Sequence, residues 1–207
     1  MRALIAFRLT TMILSTIESD EVIAHTKVWL EKAVIGLNLC PFAKSVEVKN
    51  QIRFAVSDAT DRETLLLDLA DELQLLACAD ADQIDTTLLM HPNAMTDFLD
   101  FNDFLELADA MIDELGLDGD LQIASLHPEY QFAGTAPDDI GNYTNRAPYP
   151  TLHLLRESSI ERAVAAFPDA SEIYEKNIAT LRRLGHAGWH ALGMPEKRYF
   201  NSSKDKE

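Results

Sequence analysis

The chain has 207 residues, 47% of them hydrophobic and 25% charged, with a formal net charge of −16. That composition supports a buried core within one large domain and excludes global disorder. The acid excess is local: residues 57–120 hold 18 acids and a single base, Arg62, a field that repels phosphate backbones and argues against nucleic-acid binding.

The N-terminal "MRALIAFRLTTMILSTIESD" has a basic start and an apolar run, as a signal peptide would. Arg8 interrupts the run, no small-x-small cleavage site follows, and the segment is too short to span a bilayer. It reads as an extension over 1–20, or a first strand, with Met12 as an alternative start; a cleaved targeting segment is the competing reading. Residues 21–39 carry Ile23, Leu30, Ala33, Val34 and Leu37 at helical spacing, and Pro41 stops that helix. "QIRFAVSD" (51–58) alternates and predicts a strand. Residues 61–77 predict a helix with Leu65, Leu66, Leu69, Leu73 and Leu76 inward, and "DTTLLM" (85–90) a second strand. The clearest helix covers 97–115, where Phe101, Phe104, Leu105, Ala108, Met111, Ile112 and Leu115 make one stripe and Gly116 is placed to cap it. "LQIASL" (121–126) predicts a third strand and "TLHLL" (151–155) a fourth. Ser158 with Glu161 reads as a capping box opening a helix to Phe167, and a last helix covers about 171–184. "NSSKDKE" reads as a frayed end.

Strands joined by helical crossovers run parallel. The expectation is therefore an α/β fold: a small, mainly parallel sheet of three to four strands flanked by helices. It forms a single domain over 21–195, with a tail at 196–207.

Strand two ends in "MHP" and strand three in "LHP". Ligands of open parallel sheets bind beyond the strands' carboxyl ends. If the two strands are neighbours, His91 and His127 face one cleft. The alternative is that each His-Pro pair is only a polar strand exit. The long connection from His127 to Thr151 is of the kind that carries function. Pro137 suits a first helical position, Asp138 and Asp139 suit the positive end of its dipole, and Pro148 ends the segment. The expected site thus has His127 as general base or metal ligand, supported by His91 and Asp138 or Asp139. Asn142, Asn145, Arg146, Tyr149, His153 and Arg156 are candidate substrate contacts, Arg146 and Arg156 being able to clamp an anion. His91, His127 and Asp138 have the donor types of a zinc or iron(II) site, although no metal-ligand spacing connects them. No glycine-rich nucleotide motif and no G-x-S-x-G elbow occurs.

There are two cysteines, Cys40 and Cys78, and no C-x-x-C. This argues against a disulfide framework and fits a reducing cytoplasm. Cys40, in "NLCPF", stands at a helix C-terminus, which disfavours a thiolate, so a catalytic role needs help from a His or Arg; a small buried hydrophobe is the plainer reading.

"GLNLCPFA" (36–43), "FLDFNDFLELAD" (98–109) and the stretch from Ser125 to Glu157 resemble the signature segments of the bacterial and plant domain-of-unknown-function family 1415. The resemblance covers about 22–190. It implies a soluble single-domain protein and brings no reaction with it. It also draws attention to Cys40, whose "CPFA" setting belongs to the pattern. The expected function is a small-molecule enzyme acting on a polar or anionic substrate through a His/Asp/Arg site, with a divalent metal or the Cys40 thiol as optional participants. The alternative is a non-catalytic module that binds a small anion or a peptide.

Overall fold

The computed structural model describes residues 19–166 and 172–195. The N-terminal run to residue 18, Phe167 and the tail at 196–207 lie outside the described residues.

Helix α1 covers 19–29 and continues as a wider π-helical turn, Leu30–Ile35. Gly36 follows it, and Asn38, at φ 56°, turns the chain sharply. A left-handed residue reverses direction in one step. It lays Leu39 and Cys40 back against the body of the protein, where both join a cluster with Trp29, Leu30, Ala33 and Ala43. Helix α2 (Ala43–Val48) then leads into strand β1 (Ile52–Val56). Helix α3 (Arg62–Cys78) starts at Asp61, whose carboxylate accepts from Thr64 N, and its Leu65, Leu69, Leu73 and Leu76 are fully buried. After β2 (Thr86–Met90), Asp97 caps α4 (Phe98–Glu114), which buries Phe101, Phe104, Ala108 and Ile112. Strand β3 (Leu121–Leu126) is followed by a 3-10 turn, Ile140–Thr144, and by β4 (Thr151–Arg156). Helices α5 (Glu157–Ala166) and α6 (Ile173–Ala191) close the described chain, and α6 breaks at Gly185 (φ 64°).

The sheet order is β1-β2-β4-β3. Only β1 and β2 pair in parallel; β4 is antiparallel to both β2 and β3. The class is α/β, but the expectation of a mainly parallel sheet is corrected. Strands β2 and β3 do point the same way, as a helical crossover requires. The connection after β3 is long enough to reverse the chain, and β4 slots between them. Burial accounts for its central place: Leu152 and Leu154 are 0% exposed on one face while Thr151 is buried on the other, and all five residues of β2 are buried too. Strands buried on both faces belong inside a sheet, not at its edge.

The two faces differ. Ala55, Leu89, Leu121, Leu152 and Leu154 point to α3 and α4 and form the main core with their leucines and phenylalanines. The opposite face presents Ile52, Phe54, Leu88, Met90 and Leu126 to Val22, Tyr149 and the segment 29–43. No helix among the described residues is long and apolar enough to cross a membrane.

Candidate functional site

With β4 between β2 and β3, the backbones of His91 and His127 are separated by two strand spacings, roughly 10 Å. Both imidazoles still turn toward α4, where each packs on Phe101, at 5.6 Å (His91) and 5.2 Å (His127) between ring centres. Both residues are 0% exposed. Each ring closes its own exit turn. His91 Nδ1 lies 2.9 Å from the Ala94 carbonyl; a carbonyl only accepts, so the proton is on Nδ1. His127 Nδ1 accepts from Glu129 N, which places its proton on Nε2, where it donates to Met95 O at 3.3 Å. Burial, with a smaller contribution from the neighbouring His127, pushes the His91 pKa down to about 4, so it is neutral at ordinary pH. The His-Pro echo marks two structurally equivalent strand exits whose histidines satisfy turn backbone, His91 through Nδ1 alone, its Nε2 being buried without a partner.

Several of the insert's polar groups are similarly committed. Asp139 caps the 3-10 turn through Gly141 N, three residues later than the start expected at Pro137, and Asp138 is exposed. Asn142 is fully buried and makes three bonds: Oδ1 accepts from Phe132 N and Thr135 Oγ1, and Nδ2 donates to Ala136 O. Arg146 donates to Tyr130 O and Pro137 O and stacks over the Tyr143 ring. Arg156 donates to Leu76 O, Ala79 O and Ile84 O, closing the end of α3. Tyr149 is buried, its hydroxyl 2.8 Å from His25 Nδ1. The hydrogen bonds of His91 and His127 described above go to backbone, not to Asp138 or Asp139. Among the described residues no group of three or more His, Cys, Asp or Glu side chains converges as a metal site would.

An open cleft of about 640 Å³ does lie beyond the strand ends, lined by Phe98, Glu129, Tyr143, Arg146 and Trp189 among others. His91, His127, Asp138 and Asp139 are not among its walls. Its polar groups are largely spent, Arg146 on backbone carbonyls and Asp97 on the cap of α4.

The other hollow differs in this respect. Between the second sheet face and the 29–46 segment lies a cavity of about 440 Å³, closed at one side by α5 (Ser159, Ile160, Ala163) and by Asn177 of α6. Its walls are mainly apolar: Leu30, Val34, Leu39, Phe42, Leu88, Leu126 and Leu155. Cys40, Asn145 and His153 also line it, together with Thr86, Gln122, Thr144 and Asn177. The local folding explains each placement. The left-handed turn at Asn38 folds Cys40 back under the sheet, into the cluster that includes Ile52, Phe54 and Leu126. His153 points to this face because β4 alternates, its neighbours Leu152 and Leu154 filling the main core. Thr86 sits diagonally across from His153, in register with Leu155.

Several polar atoms here lack protein partners. The Thr86 hydroxyl donates to Leu154 O at 2.6 Å and therefore accepts from His153 Nε2 at 2.9 Å, which leaves the His153 Nδ1 lone pair uncommitted. Burial pushes the His153 pKa down to about 4. Asn177 is 5% exposed; its Nδ2 donates to Leu39 O, so Oδ1 is uncommitted. Thr144 Oγ1 is buried with no hydrogen-bond partner. Of the buried side-chain atoms without a partner among the described residues, Thr144 Oγ1 faces this cavity, while Thr87 Oγ1, His91 Nε2 and Asn93 Oδ1 lie outside it. With the uncommitted acceptors His153 Nδ1 and Asn177 Oδ1 it gives an apolar hollow a few convergent polar groups, the character of a ligand site. Of the residues expected from sequence, this cavity unites Cys40, Asn145 and His153. Thr86, Gln122, Thr144 and Asn177 were not anticipated; nothing in periodicity or motif singles them out.

No curated protein and no solved structure matches the chain. One family model does, described as "Protein of unknown function (DUF1415)", over residues 21–191. That span takes in all but the first two residues of α1 through to the end of α6, the Cys40 turn and every described wall of the cavity, and the chain belongs to this family.

Proposed function

We propose that the chain is a small-molecule enzyme whose substrate occupies the cavity between the second sheet face and residues 29–46, with Cys40 as nucleophile and His153 Nδ1 as proton acceptor. The observation that carries this reading is the meeting of a thiol and a neutral imidazole with a free lone pair in one apolar hollow. The neutral imidazole has a lone pair to take the proton, and a thiol becomes a strong nucleophile once its proton has a destination. Because burial lowers the His153 pKa to about 4, the transfer requires the bound substrate to favour the charged imidazolium. In such a step Cys40 Sγ forms a bond to an electrophilic carbon, such as a carbonyl carbon. The S–H proton passes to His153, and the carbonyl electron pair moves to oxygen. In this reading the Gln122 or Asn145 amide, both lining the cavity, donates to that oxygen.

A second reading, a non-catalytic binding module using the same cavity, is favoured by one feature: Cys40 follows the end of a helix, where the dipole disfavours a thiolate. Labelling with a set of small neutral chloroacetamides, read by mass spectrometry, separates the two. Cys78, exposed on α3, is the internal standard. The enzyme reading expects Cys40 to label in a saturable manner and faster than Cys78, and His153→Phe to remove both properties. Saturable protection with Cys40 slower than Cys78 favours the binding module. A Cys40 rate that rises linearly with reagent, unaffected by His153→Phe, refutes both.

A further inference from the structure

We infer that the cavity selects a neutral amphiphile, an apolar molecule with an uncharged hydrogen-bonding head group, and rejects carboxylates and phosphates. This inference presupposes that the cavity is the ligand site.

It rests on what the walls lack. Among the described residues lining the cavity there is no Lys or Arg; the one formally charged residue is Asp85. Asp85 accepts from Ser159 Oγ at 2.6 Å, and its nearest cation, Arg162, is a largely exposed side chain 3.6 Å away. Arg146 and Arg156, the two arginines that could have clamped an anion, are spent elsewhere on backbone carbonyls. Moving a carboxylate from water into apolar surroundings without a counter-charge is strongly unfavourable, and a carboxylate wall adds repulsion. An amide or hydroxyl head group has partners waiting: His153 Nδ1 and Asn177 Oδ1 accept, Thr144 Oγ1 donates or accepts, and the Gln122 amide does both. The polar set is therefore complementary to an uncharged donor–acceptor group, while the leucine and valine walls fit an alkyl or aryl body. A volume of about 440 Å³ falls in the range of small-molecule sites.

The test is a matched pair differing only in charge, octanamide and octanoate, titrated into the full-length protein at pH 7.5. Trp29 lines the cavity and is buried, but it also borders the strand-end cleft with Trp189, so fluorescence reads binding and Ala163→Phe assigns it to the cavity. The expected result is saturable binding of octanamide, with octanoate weaker by at least about 100-fold. Ala163→Phe, which fills the cavity from α5, abolishes the octanamide signal, and Gln122→Lys, which supplies the missing cation, brings octanoate within about 10-fold of octanamide. Equal affinity of the two ligands in wild type, lost together in Ala163→Phe, overturns the charge selectivity and leaves the cavity reading standing. Absence of saturable binding by either, or octanamide binding undiminished by Ala163→Phe, overturns the cavity reading and this inference with it.

Discussion

Acid should destabilise this protein through His91, and the size of the effect follows from its burial. The imidazole is wholly enclosed, with its pKa lowered from 6.5 to about 4 chiefly by burial and secondarily by His127. An unfolded chain takes up this proton as pH falls through 6.5, whereas the folded chain resists until about pH 4. Below 6.5 the unfolded state therefore binds more protons, and stability falls with pH through that window. At 1.36 kcal/mol per pKa unit, the single group costs about 2 kcal/mol between pH 7.5 and 5, and about 3 kcal/mol by pH 4. The perturbation is His91→Asn. Its amide keeps a donor for the Ala94 carbonyl and removes the titrating ring; the lost ring volume costs about 1–3 kcal/mol at every pH. Urea unfolding at pH 7.5, 6.5, 5.5 and 5 gives both stability curves, and their difference cancels the contributions of the carboxylates and of His153. The wild-type advantage should shrink by about 2 kcal/mol across the series. A difference that stays flat refutes the assignment of His91 as a buried neutral imidazole.

Two further substitutions test the structural roles assigned to residues first read as substrate contacts. Asn142→Ala removes three bonds from a fully buried side chain and strands Phe132 N, while the Thr135 hydroxyl keeps Phe132 O and Ala136 O keeps Asp139 N. A loss of about 2–4 kcal/mol is expected by urea denaturation, and a loss below about 1 kcal/mol would contradict the brace. Arg156→Met removes the side-chain donor from Ala79 O, the residue capping α3, and leaves Leu76 O with only the longer bond from Ala79 N. It should cost about 1–3 kcal/mol, measured by thermal unfolding with Arg156→Lys intermediate, and a neutral result would show that water serves those carbonyls as well.

How much of this was legible in the sequence varies with the scale of the feature. The leucine run of α3 and the phenylalanine stripe of α4 specify their buried faces because one face of a 3.6-residue period repeats over 17 residues. Strand β3 matches its predicted limits, Leu121–Leu126, and the predicted end of the last helix at Leu184 meets the break at Gly185. Helix α2, six residues long, is too short for a period to register. The strand order was not legible, because the insertion of β4 depends on which strands need cover on both faces, and alternation within "TLHLL" carries no record of its neighbours. That one displacement undid the expected pairing of His91 and His127. The two histidines were correctly placed at equivalent strand exits, yet whether an imidazole faces ligand or backbone is decided by turns of three residues, invisible to spacing. Cys40 stood out through its "CPFA" setting, but the π-turn at Leu30–Ile35 and the left-handed Asn38 that redirect it are products of packing. The cavity could not be read at all: its walls come from residues between 29 and 177, joined only by the fold.

The most direct test of the account is to map where a small ligand sits. With octanamide added to isotope-labelled protein, heteronuclear NMR should move the side-chain amide signals of Gln122, Asn145 and Asn177 and the His153 ring, in proportion to occupancy. The signals of Glu129, Ala94 and the rings of His91 and His127 should stay in place. Shifts confined to that second group, with the amides and His153 unmoved, would place binding at the strand ends and contradict the assignment of the cavity as the site.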